Sequence, residues 1–200
     1  MSYRALVLQS AGAVVLAVAA AAVQAAGPAI VPPAVPSNLV VPAGNKPFLL
    51  AHAVGSQNYS CLPNGTGFSW ILYGPQATLF DDGGNQQITH FLSANPDENG
   101  TPRPTWQHSG DTSAVWAAPM PGRASTDPAF VAPGAIPWLL LERVGKELGP
   151  TFGHKMTYTT YIHRVNTAGG IAPGEGCTAA ADVGKKALVP YTADYVFYRP

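Results

Sequence analysis

The sequence carries few charged residues. Asp, Glu, Lys and Arg make up 11% of its 200 residues, against about a quarter in typical globular proteins. Positive and negative residues balance at 11 each, and Lys and Arg are not clustered anywhere. Nucleic acids and anionic membrane surfaces attract proteins through such clusters. The sequence therefore argues against both as partners, and the surface must be built from Thr, Ser, Asn, Gln, Gly and Pro.

Helical patterning is equally scarce. Apolar residues recur with the 3.6-residue period of an α-helix in one stretch, residues 138–148, and Pro137 and Gly145 bracket it tightly. The chain contains 21 glycines and 20 prolines, which favour turns and interrupt helices. These features predict an all-β, mostly antiparallel, single-domain protein that folds as a β-sandwich or a flattened barrel.

The first 25 residues have the layout of a secretory signal peptide. A single positive charge, Arg4, precedes an uncharged apolar run at residues 11–23, and the run leads into Ala25. An uncleaved membrane anchor is the alternative, but the run is short for a span of about 20 residues. We therefore expect cleavage after Ala25, a secreted or periplasmic location, and no stable membrane insertion afterwards.

Two segments follow the signal peptide. Residues 26–46 are rich in proline, which excludes a helix, and we expect a linker there that ends in a short strand at residues 38–42. Residues 47–200 then form one β domain. We expect the division 1–25, 26–46 and 47–200 to describe the whole chain.

Only two cysteines, Cys61 and Cys177, occur in the sequence. In an oxidising compartment their default state is a disulfide, which would tie the start of the domain to its last third. A redox-active or metal-binding pair is the alternative, but the sequence has no CxxC motif to support it. The prediction is one structural disulfide.

Alternating and apolar runs, separated by Gly-, Asn- and Asp-rich turns, predict the strands. The final run places Tyr191, Ala193, Tyr195 and Phe197 on one face. The predicted strands and hairpins lie at residues 48–61, 68–74, 77–92, 104–116, 135–144, 154–165 and 188–198.

Several motifs in these segments resemble those of the DUF3455 family, a group of secreted bacterial and fungal proteins of unknown function. The motifs are QNYSC at 57–61, ATLFD at 77–81, PTW at 104–106, AIPWLLL at 135–141, NTAGGIAPGEGC at 166–177 and VPYTADYVFY at 189–198. The resemblance covers nearly all of the chain after the signal peptide. It implies no catalytic residues, so it leaves the activity open.

The stretch PTWQHSGDTSAVW, residues 104–116, combines two tryptophans with a histidine and an aspartate. Its alternation predicts a β-hairpin in which Trp106 and His108 share a face. In one interpretation the tryptophans Trp106 and Trp116 pack in the core. In the other they form an exposed platform that stacks on sugar rings, with His108 and Asp111 as polar contacts.

Catalytic and metal-binding motifs are missing from the sequence. No GxSxG, HxH or HExxH pattern occurs, and each would be needed for the corresponding chemistry. A site assembled from separate strands remains open, because His90, His108 and Asp111 would converge if their hairpins were neighbours. We predict no cofactor and no metal, with those three residues as the place where such a site would form.

These features support three hypotheses about the function. The leading hypothesis is an exported, non-catalytic binding protein for a glycan or another envelope component, with Trp106, His108, Asp111 and His90 as ligand-binding residues. The first alternative is a metal- or cofactor-dependent secreted enzyme or redox protein. The second is a structural or stress-related surface protein. An exposed tryptophan would favour binding, and convergent histidines would favour the enzyme.

Overall fold

The computed structural model describes residues 29–200, which form an antiparallel eight-stranded β-barrel with strand order β1 to β8. Each strand pairs with the next in sequence, and β1 pairs with β8 to close the barrel. The predicted signal peptide, residues 1–25, lies outside the described residues. Within residues 29–200, no helix is long and apolar enough to cross a membrane.

The strands are β1 Lys46–Asn64, β2 Gly67–Phe80, β3 Gln86–Asn95, β4 Thr101–His108, β5 Ala114–Ser125, β6 Trp138–Glu147, β7 Tyr161–Gly169 and β8 Lys186–Arg199. Four short 3-10 helices accompany them: Ser37–Leu39, Pro96–Glu98, Met156–Tyr158 and Ala180–Asp182. The all-β prediction is confirmed, and of the two architectures it allowed the structure has the barrel. A barrel of eight strands encloses just enough space for its own side chains or for one small ligand.

The barrel interior holds the main hydrophobic core. Side chains alternate between inside and outside along each strand, so every strand contributes alternate residues to this core. The predicted face of β8 is confirmed, since its four residues are at most 3% exposed. The largest interior side chains are Trp106, Tyr195, Phe197, Leu79, Ile88 and Ile162.

A second apolar cluster covers the outside of β6, β7 and β8, and the proline-rich lead-in packs against it. Leu39 is fully buried there, and its carbonyl accepts a 2.7 Å hydrogen bond from His163 Nε2. Burial lowers the pKa of His163, so the ring is neutral, and Nδ1 accepts from the Tyr198 hydroxyl at 2.9 Å. The strand predicted at residues 38–42 is wrong, because Ser37–Leu39 forms a 3-10 helix that brings Leu39 onto the barrel.

The strand predicted at residues 135–144 is confirmed as β6, and the helical spacing at 138–148 does not form a helix, since both faces of β6 are needed to cover the interior core and the outer cluster. One further local prediction is corrected by the fold. The strand predicted at 154–165 begins only at Tyr161. The preceding 3-10 helix places Met156, which is fully buried, across one end of the barrel core. This end is therefore closed.

The tip of the β3–β4 hairpin bends over the outside of β5 and β6. Trp116 Nε1 donates to Ser93 Oγ at 2.9 Å, and Asn95 Nδ2 donates to the Val144 carbonyl at 3.2 Å. Gly145 makes this contact possible, because a Cβ at that position would overlap the Asn95 side chain. The tip of the hairpin is therefore packed on β5 and β6 by side-chain contacts.

The predicted disulfide between Cys61 and Cys177 is present, with the two Cα atoms 5.4 Å apart. It links β1 to the Gly- and Pro-rich connection between β7 and β8. Tyr59 also reaches this connection, donating its hydroxyl to the Gly170 carbonyl at 2.7 Å. The long connection is therefore fixed to the barrel at both ends.

Candidate functional site

The barrel encloses a cavity of about 150 Å³ at the end opposite Met156. Each of the eight strands contributes at least one side chain to its wall. Leu72, Leu139 and Leu141 form the apolar part of the wall. Leu72 is 51% exposed, so this rim reaches solvent. The cavity is thus an indentation into the barrel interior from its open end.

The opening follows from the short contact between β4 and β5. Only residues Thr105–Gln107 of β4 pair with residues Ala114–Trp116 of β5, although both strands continue toward the open end. Proline has no N–H to donate to a sheet ladder, and prolines occur on both strands just beyond the last pair. Pro104 and Pro119 both line the cavity. The proline-flanked gap between β4 and β5, which we call the slot, leads into the cavity.

Three buried aromatic rings form the floor of the cavity. The His90 ring stacks on Trp106 with centroids 4.2 Å apart, and Tyr195 meets both rings edge-on. His90 Nδ1 lies 2.8 Å from the Thr105 carbonyl, which can only accept, so the proton is on Nδ1. Burial lowers the pKa of His90 to about 3. The ring is therefore neutral, and its Nε2 is an acceptor.

Two buried donors in the wall have no hydrogen-bond partner among residues 29–200. They are Gln57 Nε2 and Trp106 Nε1, on residues that are 2% and 1% exposed. Leaving a buried donor unpaired costs about 1–3 kcal/mol, so such groups in a cavity wall indicate a polar ligand or water. Arg164 also lines the cavity, and its Nε and Nη2 both donate to the Pro137 carbonyl, at 3.2 and 2.9 Å. The site therefore combines a mainly apolar wall with several hydrogen-bond donors.

The predicted ligand-binding residues form two separate pairs. His90 and Trp106 are stacked in the cavity floor, whereas His108 and Asp111 lie toward the closed end. The exposed aromatic platform does not form, because Trp106 and Trp116 are 1% and 5% exposed. Both tryptophans are buried, Trp106 in the interior core and Trp116 beneath the β3–β4 hairpin, where it donates to Ser93.

Asp111 holds the closed end together. Its Oδ1 accepts from the Ser113 N–H and hydroxyl, at 3.1 and 2.7 Å, and its Oδ2 accepts from the Lys155 N–H at 2.8 Å. These bonds hold the pKa of Asp111 well below its usual value even though desolvation opposes them. His108 Nδ1 accepts the Asp111 N–H at 3.1 Å, and burial lowers the pKa of His108. In the described structure this pair acts as a structural clamp.

A metal centre does not assemble in residues 29–200, where no group of three or more His, Cys, Asp or Glu is placed to hold an ion. The hypothesis that His90, His108 and Asp111 converge is therefore not supported by the geometry. A different histidine, His52, lies between Asp194 and Asp82, with ring nitrogens 2.6 and 2.8 Å from their carboxylates. Both nitrogens are engaged, so His52 has none free to act as a base toward a nucleophile.

Comparison with known proteins identifies the family of the chain. A model described as "Protein of unknown function (DUF3455)" matches residues 42–199. The chain belongs to the DUF3455 family. This match includes all eight strands, and it confirms the resemblance that the sequence motifs carry. No curated protein and no solved structure matches the chain.

Three polar residues of the cavity wall, Gln57, Arg164 and Tyr195, were not predicted from the sequence as site residues. Gln57 and Tyr195 lie within family motifs, at residues 57–61 and 189–198, and Arg164 lies beside one. Alternation along β7 was the available signal for Arg164, since Ile162 faces the core and residues two apart share a face. An arginine on a core-facing position is rare without a function or a partner.

Proposed function

We propose that this chain is an exported, non-catalytic binding protein that takes a small, mainly apolar ligand into the open end of its barrel. The export and the absence of catalysis are carried over from the sequence. The observation that carries the proposal is the cavity, where two buried donors face no partner within an apolar wall. Ligand pockets typically combine such a wall with a few placed polar groups.

An exposed aromatic platform would have favoured the glycan hypothesis, which otherwise rests on the expected compartment, the low charge and the polar surface composition. Trp106 and Trp116 are buried instead, so stacking on a sugar ring is not available to them. The cavity still supports a binding function, but for a different class of ligand, because its wall is built largely from leucine, proline and aromatic side chains. A ligand with an apolar body matches this wall better than a sugar does.

The size of the cavity limits the ligand. A cavity of about 150 Å³ lined by apolar side chains holds a molecule the size of benzene, which matches the volume observed here. Entry through the slot requires no strand to break, because β4 and β5 are not paired there. We therefore expect ring-sized ligands to enter a largely preformed site.

Toluene is a suitable probe for the apolar site, and its binding is followed through the tryptophan indole N–H signals of ¹⁵N-labelled protein. A Trp106→Phe variant identifies the Trp106 signal. We expect toluene to shift that signal in the wild type and to bind at least about tenfold more weakly to Leu139→Trp, because the larger side chain fills the cavity.

The matched control is Leu188→Trp, which makes the same replacement at a residue that is 64% exposed on the outside of the barrel. This variant should bind toluene as the wild type does. If toluene leaves the Trp106 signal unchanged in the wild type, or if both variants bind equally, the cavity is not the binding site and the proposed function is wrong.

A further inference from the structure

We propose that the natural ligand of the cavity is a small aromatic or branched-chain carboxylate, whose anionic group is bound by Arg164, Gln57 and Trp106. This inference rests on the proposed function and adds the chemistry of the ligand's polar end. It is drawn from the charge, the hydrogen-bond donors and the size of the cavity.

Charge is the first argument. Arg164 is the only cavity-lining residue with a formal charge, and no Asp or Glu lines the wall. Within residues 29–200, Arg164 takes part in no ion pair. A buried or half-buried cation is costly without a counter-charge. A carboxylate on the ligand supplies that charge, and guanidinium binds carboxylates through parallel N–H bonds.

The second argument comes from the hydrogen-bond donors. Arg164 donates from Nε and Nη2 to the Pro137 carbonyl and lies beside the Tyr195 hydroxyl, so its partners within residues 29–200 are neutral groups and none is a carboxylate. Gln57 Nε2 and Trp106 Nε1 are unpaired donors in the same wall. The three donor side chains belong to residues that line one cavity, so the complementary ligand group is rich in acceptors. A carboxylate carries two oxygens and accepts from several donors at once.

The wall supplies no opposing negative charge. His90 is neutral and Tyr195 keeps its proton, since burial lowers the pKa of the first and raises that of the second. Apart from the three donor residues, the rest of the wall is Leu and Pro. An anion entering this site meets donors and apolar surface without like-charge repulsion.

The third argument is size. About 150 Å³ accommodates one six-membered ring but not a long acyl chain. The apolar part of the ligand lies against Leu72, Leu139 and Leu141, and the aromatic floor offers edge and face contacts to a ring. A carboxylate attached to a ring or a short branched chain therefore fits where a fatty acid does not.

Benzoate and benzyl alcohol are suitable test ligands, because they share the ring and differ in the charge of the polar group. Both are titrated at pH 7 into ¹⁵N-labelled protein while the Trp106 indole N–H signal is followed. We expect benzoate to bind at least about tenfold more tightly than benzyl alcohol, since a hydrogen bond to a charged group is worth more than a neutral one. The Trp106 signal should also move downfield with benzoate as the N–H gains an acceptor.

Arg164→Gln should remove the preference for benzoate while leaving benzyl alcohol binding within about twofold. The matched control is Arg143→Gln, because Arg143 also donates to backbone carbonyls, those of Thr157 and Thr159, but does not line the cavity. That variant should keep the preference. If Arg164→Gln does not fold, the comparison of the two probes on the wild type decides by itself.

The outcomes separate the two proposals. Equal binding of benzoate and benzyl alcohol overturns the carboxylate inference and leaves the binding function intact. A benzoate preference that survives in Arg164→Gln also overturns it. Failure of toluene, benzyl alcohol and benzoate alike to shift the Trp106 signal overturns the inference together with the proposed function.

Discussion

Replacing Asp111 by asparagine should destabilise the barrel by loosening its closed end. The carboxylate accepts from Ser113 with Oδ1 and from the Lys155 N–H with Oδ2. An asparagine side chain retains only one oxygen, so its NH₂ group would face a backbone or hydroxyl donor. The variant would lose one hydrogen bond to a charged acceptor and would place two hydrogen-bond donors against each other. Together these changes cost about 2–3 kcal/mol in the free energy of unfolding. Chemical denaturation at pH 7 measures this as a lower midpoint.

The pH dependence of the Asp111→Asn effect is part of the same prediction. The pKa of Asp111 is lowered from 3.8 on folding, so its contribution is complete above pH 3.8 and is lost as the pH falls through the folded-state pKa. The difference between wild type and variant should therefore shrink in acid. The control is Asp127→Asn, an exposed turn residue whose side chain accepts, within residues 29–200, only from the Ala129 N–H. An Asp111→Asn effect no larger than that of the control refutes the clamp.

The remaining predictions concern His52 and the disulfide. Hydrogen bonds to Asp82 and Asp194 raise the pKa of His52 above 6.5, so Asp82→Asn should lower its NMR titration midpoint. Stability lost in this variant should appear below pH 6.5 and vanish as the pH rises through the folded-state pKa; a pH-independent loss would contradict the ion pair. Replacing Cys61 and Cys177 by alanine should cost up to about 4–5 kcal/mol in urea unfolding, because a loop of 116 residues is released. A loss below about 1 kcal/mol would contradict the entropic account, because the unfolded chain would then already be compact between these two residues.

Local patterns predicted much of the fold. The hairpin at residues 104–116 and the buried face of β8 follow from alternation and turn chemistry, which act over a few residues. The structure confirms both, with the hairpin turn between His108 and Ala114. The disulfide followed from the count of cysteines and the expected compartment, and it is also present.

The misleading local patterns at residues 154–160 and 138–148 have their cause in distant packing. Thr and Tyr around Met156 alternate like a strand, but the end of the barrel needs an apolar residue to cover it, and Met156 does so from a 3-10 helix. Residues 138–148 have helical spacing because both faces of β6 are buried, one inside the barrel and one under the lead-in. Neither the need to cover the barrel end nor the burial of both faces of β6 can be read from the local sequence.

The candidate site was only half visible from the sequence. His90 and Trp106 were singled out by residue type, but their stacking depends on their being paired across β3 and β4. The cavity exists because β4 separates from β5 after three residue pairs. Arg164 became a candidate only once closure of the barrel placed β7 opposite these strands.

The slot between β4 and β5 also affects how the protein meets other chains. An unpaired strand edge is a template for another polypeptide to extend the sheet, which leads to edge-to-edge association and aggregation. Here the strands that border the slot carry Pro102 and Pro104 on one side and Pro119 and Pro121 on the other. These residues lack the N–H groups that an added strand would need. The prolines that open the wall to a small molecule thereby close it to another polypeptide.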